Sequence, residues 1–281
     1  CYGVWGAAIA WLWPLSPILS VTMAGLAVTL HASLTHEVLH GHPFPNQSLS
    51  GALMRLPLGL FVPYCRFRDL HLAHHRDSNL TDPYDDPESM YLDPATWDGL
   101  PRWRKALFAA NNTLAGRVLI GPILGQAVFL RDEWRLWRDG VPGIARAWAL
   151  HLAGVVPVLW LVALSPMPIW AYLVAVYLGH GILRIRTFLE HQAHARSRAR
   201  TVIIEDRGIL AFLFLNNNLH VVHHMHPGLP WYALPSVYRA RAERYRQVND
   251  GYVYRSYGEV FRRHFLRAKE PIAHPLWRSR E

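Results

Sequence analysis

At 281 residues, 51% of them hydrophobic and twelve of them Trp, the chain is apolar for a soluble enzyme and long enough for one or two domains. Two cysteines, Cys1 and Cys65, exclude a disulfide framework and a cysteine-based zinc or iron–sulfur site, and fit a reducing, cytoplasm-facing catalytic side. The net charge of +9, carried by 27 Arg and two Lys against 20 acids, comes with no stacking motif or helix-turn-helix pattern; it points away from nucleic acid and towards basic flanks held on the cytoplasmic face of a lipid bilayer.

Residues 2–13 read as the visible end of a membrane helix and 15–35 as a span, since a crossing needs about 20 apolar residues. The second helix continues without a break signal to residue 42, carrying His36 and His40 to where it leaves the membrane, and Pro43 and Pro45 end it. Residues 49–63 are apolar but short and contain Arg55, Pro57 and Pro63, which predicts an interfacial or re-entrant segment. Residues 77–101 place seven acids among prolines and form a loop; these acids are turn-formers, with Asp77 or Asp82 as the ones to support a metal ligand. Arg and Trp interleaved over 102–140 predict an amphipathic helix on the membrane surface, anchored by Trp103, Trp134 and Trp137. Residues 144–164 and 167–189 are two more spans, joined by the tight, uncharged turn Ser165-Pro166-Met167-Pro168. An even number of crossings then separates the first histidines from the last, so all can share one face. From Arg239 onward eleven Lys or Arg face five acids.

Twelve of the seventeen histidines fall in four short windows. They are His36-Glu37-Val38-Leu39-His40, His71-Leu72-Ala73-His74-His75, His220-Val221-Val222-His223-His224 (with His226 close behind), and a pair, His191 and His194; His42 follows the first run. On a helix, positions i, i+3 and i+4 share a face, so each H-x-x-H-H run aims three imidazoles one way and H-x-x-x-H aims two. Imidazole suits iron, zinc and copper. The eight in the three runs are too many for one tetrahedral ion, which predicts two metals. The first run also fits H-E-x-x-H, the zinc-protease signature in which two histidines bind zinc and the Glu is the general base. A zinc intramembrane protease, however, leaves at least six clustered histidines without a task, and Glu37 is better read as orienting an imidazole.

The full set of boxes between membrane spans resembles the membrane fatty acid desaturase and hydroxylase superfamily over about residues 31–240. Thr187-Phe188-Leu189-Glu190-His191 is similar to the T-Y-L-x-H element by which these proteins supply one more histidine from the end of a membrane helix. His223-His224-Met225-His226-Pro227-Gly228-Leu229-Pro230-Trp231-Tyr232 is similar to the H-H-x-x-P-x-x-P-x-Y stretch after the third box of acyl desaturases. The resemblance implies an all-α integral membrane protein with about four transmembrane helices, interfacial helices and a cytoplasmic histidine-box cap, 1–281 forming one domain with 241–281 as a basic cytoplasmic tail. It implies two irons held by His36, His40, His71, His74, His75, His191, His220, His223 and His224. It further implies use of O2 to desaturate an acyl chain or similar lipid-like substrate, with hydroxylation or ketolation, for instance of a carotenoid, as the alternative. Electrons come from a separate carrier such as a ferredoxin or cytochrome, because His226-Pro227-Gly228-Leu229 lacks the second Gly of a haem-binding element and no fused cytochrome domain or haem is expected. His194 is the alternative to His191. Asn216, Asn217 and Asn218 either reach a metal-bound water or fix an imidazole tautomer, or simply end a helix. His31, His42, His180 and His226 are expected beside the ligands, and His151, His264 and His274 in structural roles.

Overall fold

Helix α1 (Pro17–Leu39) begins where Ser16 turns extended, its hydroxyl accepting the Leu19 N–H at 3.3 Å, with proline at the first helical position. It ends at Leu39, before the prolines expected to stop it. Gly41 takes φ +107, a conformation glycine reaches without a Cβ penalty, and its N–H bonds back to the Val38 carbonyl. The structure, a computed structural model, describes residues 1–76 and 80–277. Asp77 lies outside them. The chain is mostly helical and divides into two units, Cys1–Asp69 with Gly121–Arg184, and Leu70–Ile120 with Ile185–Glu281.

The first unit is built on α1, the start of α2 (Tyr64–Arg76), α3 (Ile144–Leu164) and α4 (Ile169–Thr187), preceded by a helical stretch over 2–15. Helices α1 and α3 are long and apolar enough to cross a membrane. Helix α4 covers about 28 Å at 1.5 Å per residue, with Arg184 and Arg186 in its last turn. Helices α1 and α4 close to backbone contact at glycine: a Cβ on Gly179 would stand 2.7 Å from the Gly25 carbonyl oxygen, and the Thr29 hydroxyl donates to the Gly179 carbonyl at 2.9 Å. Trp5, Val28, Leu58 and Tyr172 fill the adjoining core.

The interrupted segment 49–63 is helical only over Gln47–Leu53 and then runs irregularly into the core, with Leu58 and Leu60 buried. Carbonyl groups in such a place need donors, and side chains supply them. The Tyr172 hydroxyl donates to Leu58 at 2.7 Å, His180 to Gly59 at 2.9 Å and His151 to Leu60 at 2.8 Å, while the Tyr2 hydroxyl reaches the Leu53 carbonyl at 2.6 Å. His180, expected beside the metal ligands, is therefore a backbone anchor like His151. His31 meets the Tyr2 hydroxyl at 3.0 Å.

The single amphipathic helix expected over 102–140 is three helices, Arg102–Asn111, Leu114–Leu119 and Gly121–Arg138. The Thr113 hydroxyl caps the second by accepting the Gly116 N–H, and Gly116 sits so close to the Ala110 carbonyl that no Cβ fits. Trp103, Trp134 and Trp137 are exposed.

In the second unit, β1 (Ile203–Ile204) pairs in parallel with β2 (Val253–Tyr254), a departure from an all-helical chain. Between them lies α5 (His220–Met225), packed with Leu219, Val221 and Val222 against Leu234, Tyr238 and Tyr245. Residues 241–277 are woven into this unit. The Leu92 N–H bonds the Ile272 carbonyl, the His274 N–H bonds the Leu92 carbonyl, and the Ala115 N–H bonds the Phe265 carbonyl.

Candidate metal centre

Four imidazoles of the second unit turn their ring nitrogens on one another. His74 comes from α2, His220 and His224 from one face of α5, and His191 from the extended stretch after α4, where it bridges Thr201. The Nε2 atoms of His74 and His191 are 3.0 Å apart, those of His191 and His220 3.1 Å, and those of His220 and His224 3.1 Å. Two nitrogens bound at about 2.1 Å to one ion and at right angles lie about 3.0 Å apart. The group therefore has the spacing of neighbouring ligands on a single cation.

The far side of the rings decides their tautomers. The Asp86 carboxylate lies 2.7 Å from His74 Nδ1, and a carboxylate only accepts, so that nitrogen carries its proton. The Asn217 amide donates to Glu190 at 2.9 Å, which turns its oxygen to His220 Nδ1 at 3.2 Å and makes that nitrogen a donor too. Arg186 holds Glu190 in a buried pair at 2.9 Å. Burial pushes His191, His220 and His224 well below the ordinary imidazole range, so they are neutral, each with one ring nitrogen carrying a lone pair. Burial also opposes charge on His74, but the Asp86 hydrogen bond and the nearby Glu88 carboxylate raise it to about 9. The metal-free group thus holds one extra proton, on His74 Nε2 facing His191.

A second group forms around His71 and His75 of α2 and His223 of α5. The Nε2 atoms of His75 and His223 are 3.1 Å apart, and Glu88 sits 2.8 Å from His71 Nδ1. Burial would raise the Glu88 carboxyl, yet His71 facing it keeps it well below the usual carboxylate range. His36 and His40 stand at the end of α1 in the first unit, ring centroids 4.9 Å apart, with Glu37 buried between them in sequence.

Residues 10–256 match the family model described as fatty acid desaturase. The chain belongs to that family. It is also similar to a beta-carotene ketolase of Paracoccus sp. (strain N81106 / MBIC 01143), 28% identical over 214 residues that cover 72% of this chain and 71% of the ketolase. Both findings support an oxidoreductase, and the histidine groups of this desaturase-family chain are able to hold metal.

The remaining histidines and amides have other partners. His194 pairs with Asp250 at 3.1 Å and stands outside both groups. The Asn216 amide donates to the Trp231 carbonyl, and that of Asn218 to the Ile204 and Asp206 carbonyls; Asn217, between them, is the one that fixes a tautomer. His226 caps α5 with its ring against Tyr245, and His42 is absent from both groups. His264 meets the Tyr254 hydroxyl and His274 that of Thr81. Asp82 accepts the N–H groups of Tyr84 and Asp85, a turn-forming role. Sequence reasoning missed Asp86 and Glu88, the acids behind the His74 and His71 rings, and Glu190, which holds Asn217.

Proposed function

We propose that this chain is a membrane-bound di-iron oxidase that desaturates an acyl chain or similar lipid-like substrate with O2. The observation that carries the reading is the set of four facing Nε2 atoms, two of them with tautomers fixed from behind by Asp86 and Asn217. The donor set fits a non-haem iron pair: imidazole is abundant and carboxylates serve behind it. His74, His191, His220 and His224 would hold one ion. His71, His75 and His223 would contribute to holding the other, and His36 and His40 are the remaining two ligands of the proposed set of nine. When bound, the irons supply the reduction of O2 coupled to removal of hydrogen from an unactivated carbon. The residues themselves do the rest. Asp86, Glu88 and Asn217 hold the imidazoles in the ligating tautomer, and Arg186 holds Glu190 under Asn217. The buried positions of His71, His74, His220 and His223 keep bulk water from the reacting centre.

Desaturation removes hydrogen from neighbouring carbons, and a separate carrier, a ferredoxin or cytochrome, supplies the further electron pair that takes O2 to water. The domain is read as one, 1–281 with its core at about 31–240; about four transmembrane helices put the histidines and the basic residues beyond 241 on the cytoplasmic side. A second reading, hydroxylation or ketolation on the same scaffold, for instance of a carotenoid, draws on the similarity to the Paracoccus ketolase. Anaerobically purified protein should contain two irons per chain and consume O2 with a donor system. Incubation with acyl lipids and with β-carotene, followed by mass spectrometry, separates the two readings. One zinc per chain without O2 uptake would overturn both.

A further inference from the structure

His191 is held differently from the other members of its group. His74, His220 and His224 ride on helices, and the Nδ1 atoms of His74 and His220 are pinned by Asp86 and Asn217. His191 lies past the end of α4, and its Nδ1 is buried with no hydrogen-bond partner among the described residues. Its backbone is what is fixed. The Lys269 ammonium, on a nearly buried side chain, donates to the His191 carbonyl and lies 2.7 Å from the Glu270 carboxylate. Two residues on, the Ala193 N–H is shared by the Tyr91 hydroxyl at 2.7 Å and Glu270 at 3.3 Å. Glu270 is itself held, its carbonyl accepting from the Asn112 amide at 2.6 Å.

Burying an ammonium is costly unless charge and acceptors surround it. Here the carboxylate and the carbonyl do so, and the outcome is a cation clamped to the backbone of a single residue. We propose that Lys269 is a positioning residue for His191: by gripping its carbonyl, with Glu270 and Tyr91 gripping the Ala193 N–H two residues on, it aims an imidazole whose Nδ1 has no partner among the described residues. This rests on the reading of His191 as a metal ligand. Such ligands must be held to within about 0.5 Å of their working position, and a side chain leaving an extended segment has no helix to do that.

The test is titration of the full-length protein in detergent with cobalt(II), followed by visible absorption, with near-UV circular dichroism reporting the fold. Two binding steps are expected. Lys269→Met should weaken one of them about tenfold and change its spectrum, leaving the other step and the fold in place. Lys269→Arg, which can still donate, should recover most of the loss. Wild-type binding in Lys269→Met, equal weakening of both steps, or no recovery with Arg overturns the proposal. If the Met variant does not fold, Tyr91→Phe decides: a loss of about threefold in the same single step supports the brace, and wild-type affinity overturns it. Failure of the underlying reading looks different, since cobalt binding would then be absent from the unaltered protein or untouched by His191→Ala.

Discussion

Asn217 is flanked by two identical amides that do unrelated work, and it is the Asn217 oxygen that faces the His220 ring. Asn217→Ala should lower metal affinity by about 10- to 100-fold, as loss of a group behind a ligand does, whereas Asn216→Ala should leave it unchanged; metal titration of both variants checks this. His74 gives the pH dependence its sign. Its pKa in the metal-free chain is raised to about 9, so below that pH an incoming ion must displace the Nε2 proton, and affinity rises as pH rises towards 9. Calorimetry at pH 7.5 in two buffers of different ionisation enthalpy should show a proton released on binding, and Asp86→Asn should abolish it. No release in the native chain would contradict the assignment. The spacing of His71, His74 and His75, and of His220, His223 and His224, made the gathering of these rings legible in the sequence, because helical periodicity puts each trio towards one side of its helix. Asp86 was not legible. In an acid-rich loop it carries the same local signal as Asp82, and only the folded chain puts one behind His74 and the other in its own turn.

Long apolar runs announced α1 and α3 because length and composition alone decide that class of helix. The break in 102–140 was not announced: Thr113 and Gly116 are tolerable inside a helix, and it is the approach of the Ala110 carbonyl that makes the interruption fit. Short length, Arg55 and prolines marked 49–63 as an interfacial or re-entrant segment rather than a full span, but gave no sign of how the carbonyls after Leu53 are satisfied. Removing one donor there leaves a buried acceptor bare, so His180→Ala and Tyr172→Phe should each destabilise the first unit by about 1–3 kcal/mol. Gly179→Val should cost a similar amount, about 1–3 kcal/mol, by forcing α4 off α1. Thermal unfolding in detergent measures all three, and unchanged transitions in the histidine and tyrosine variants would show that the loop carbonyls find other partners.

For the molecule as a whole, the uncharged turn at 165–168 and the Arg-rich residues beyond 241 are predicted on opposite sides of the bilayer. With Cys1 and Cys65 replaced, cysteines introduced at the exposed positions Pro166 and Glu243 should react with an impermeant maleimide from opposite sides of sealed vesicles. Labelling of both from the same side would refute the topology. The placement of Phe265–His274 bears also on when the protein becomes competent. These residues are translated after every histidine of the two groups, yet they bond the Ala115 N–H, both backbone groups of Leu92 and the carbonyl of His191. A nascent chain halted at His264 is expected to be targeted and inserted with every histidine of the two groups present and the backbone of His191 unsecured. Loading of the groups is therefore predicted to wait on a segment made after all of their histidines, and a stop codon after His264 should give a protein of normal membrane abundance that stays poor in metal.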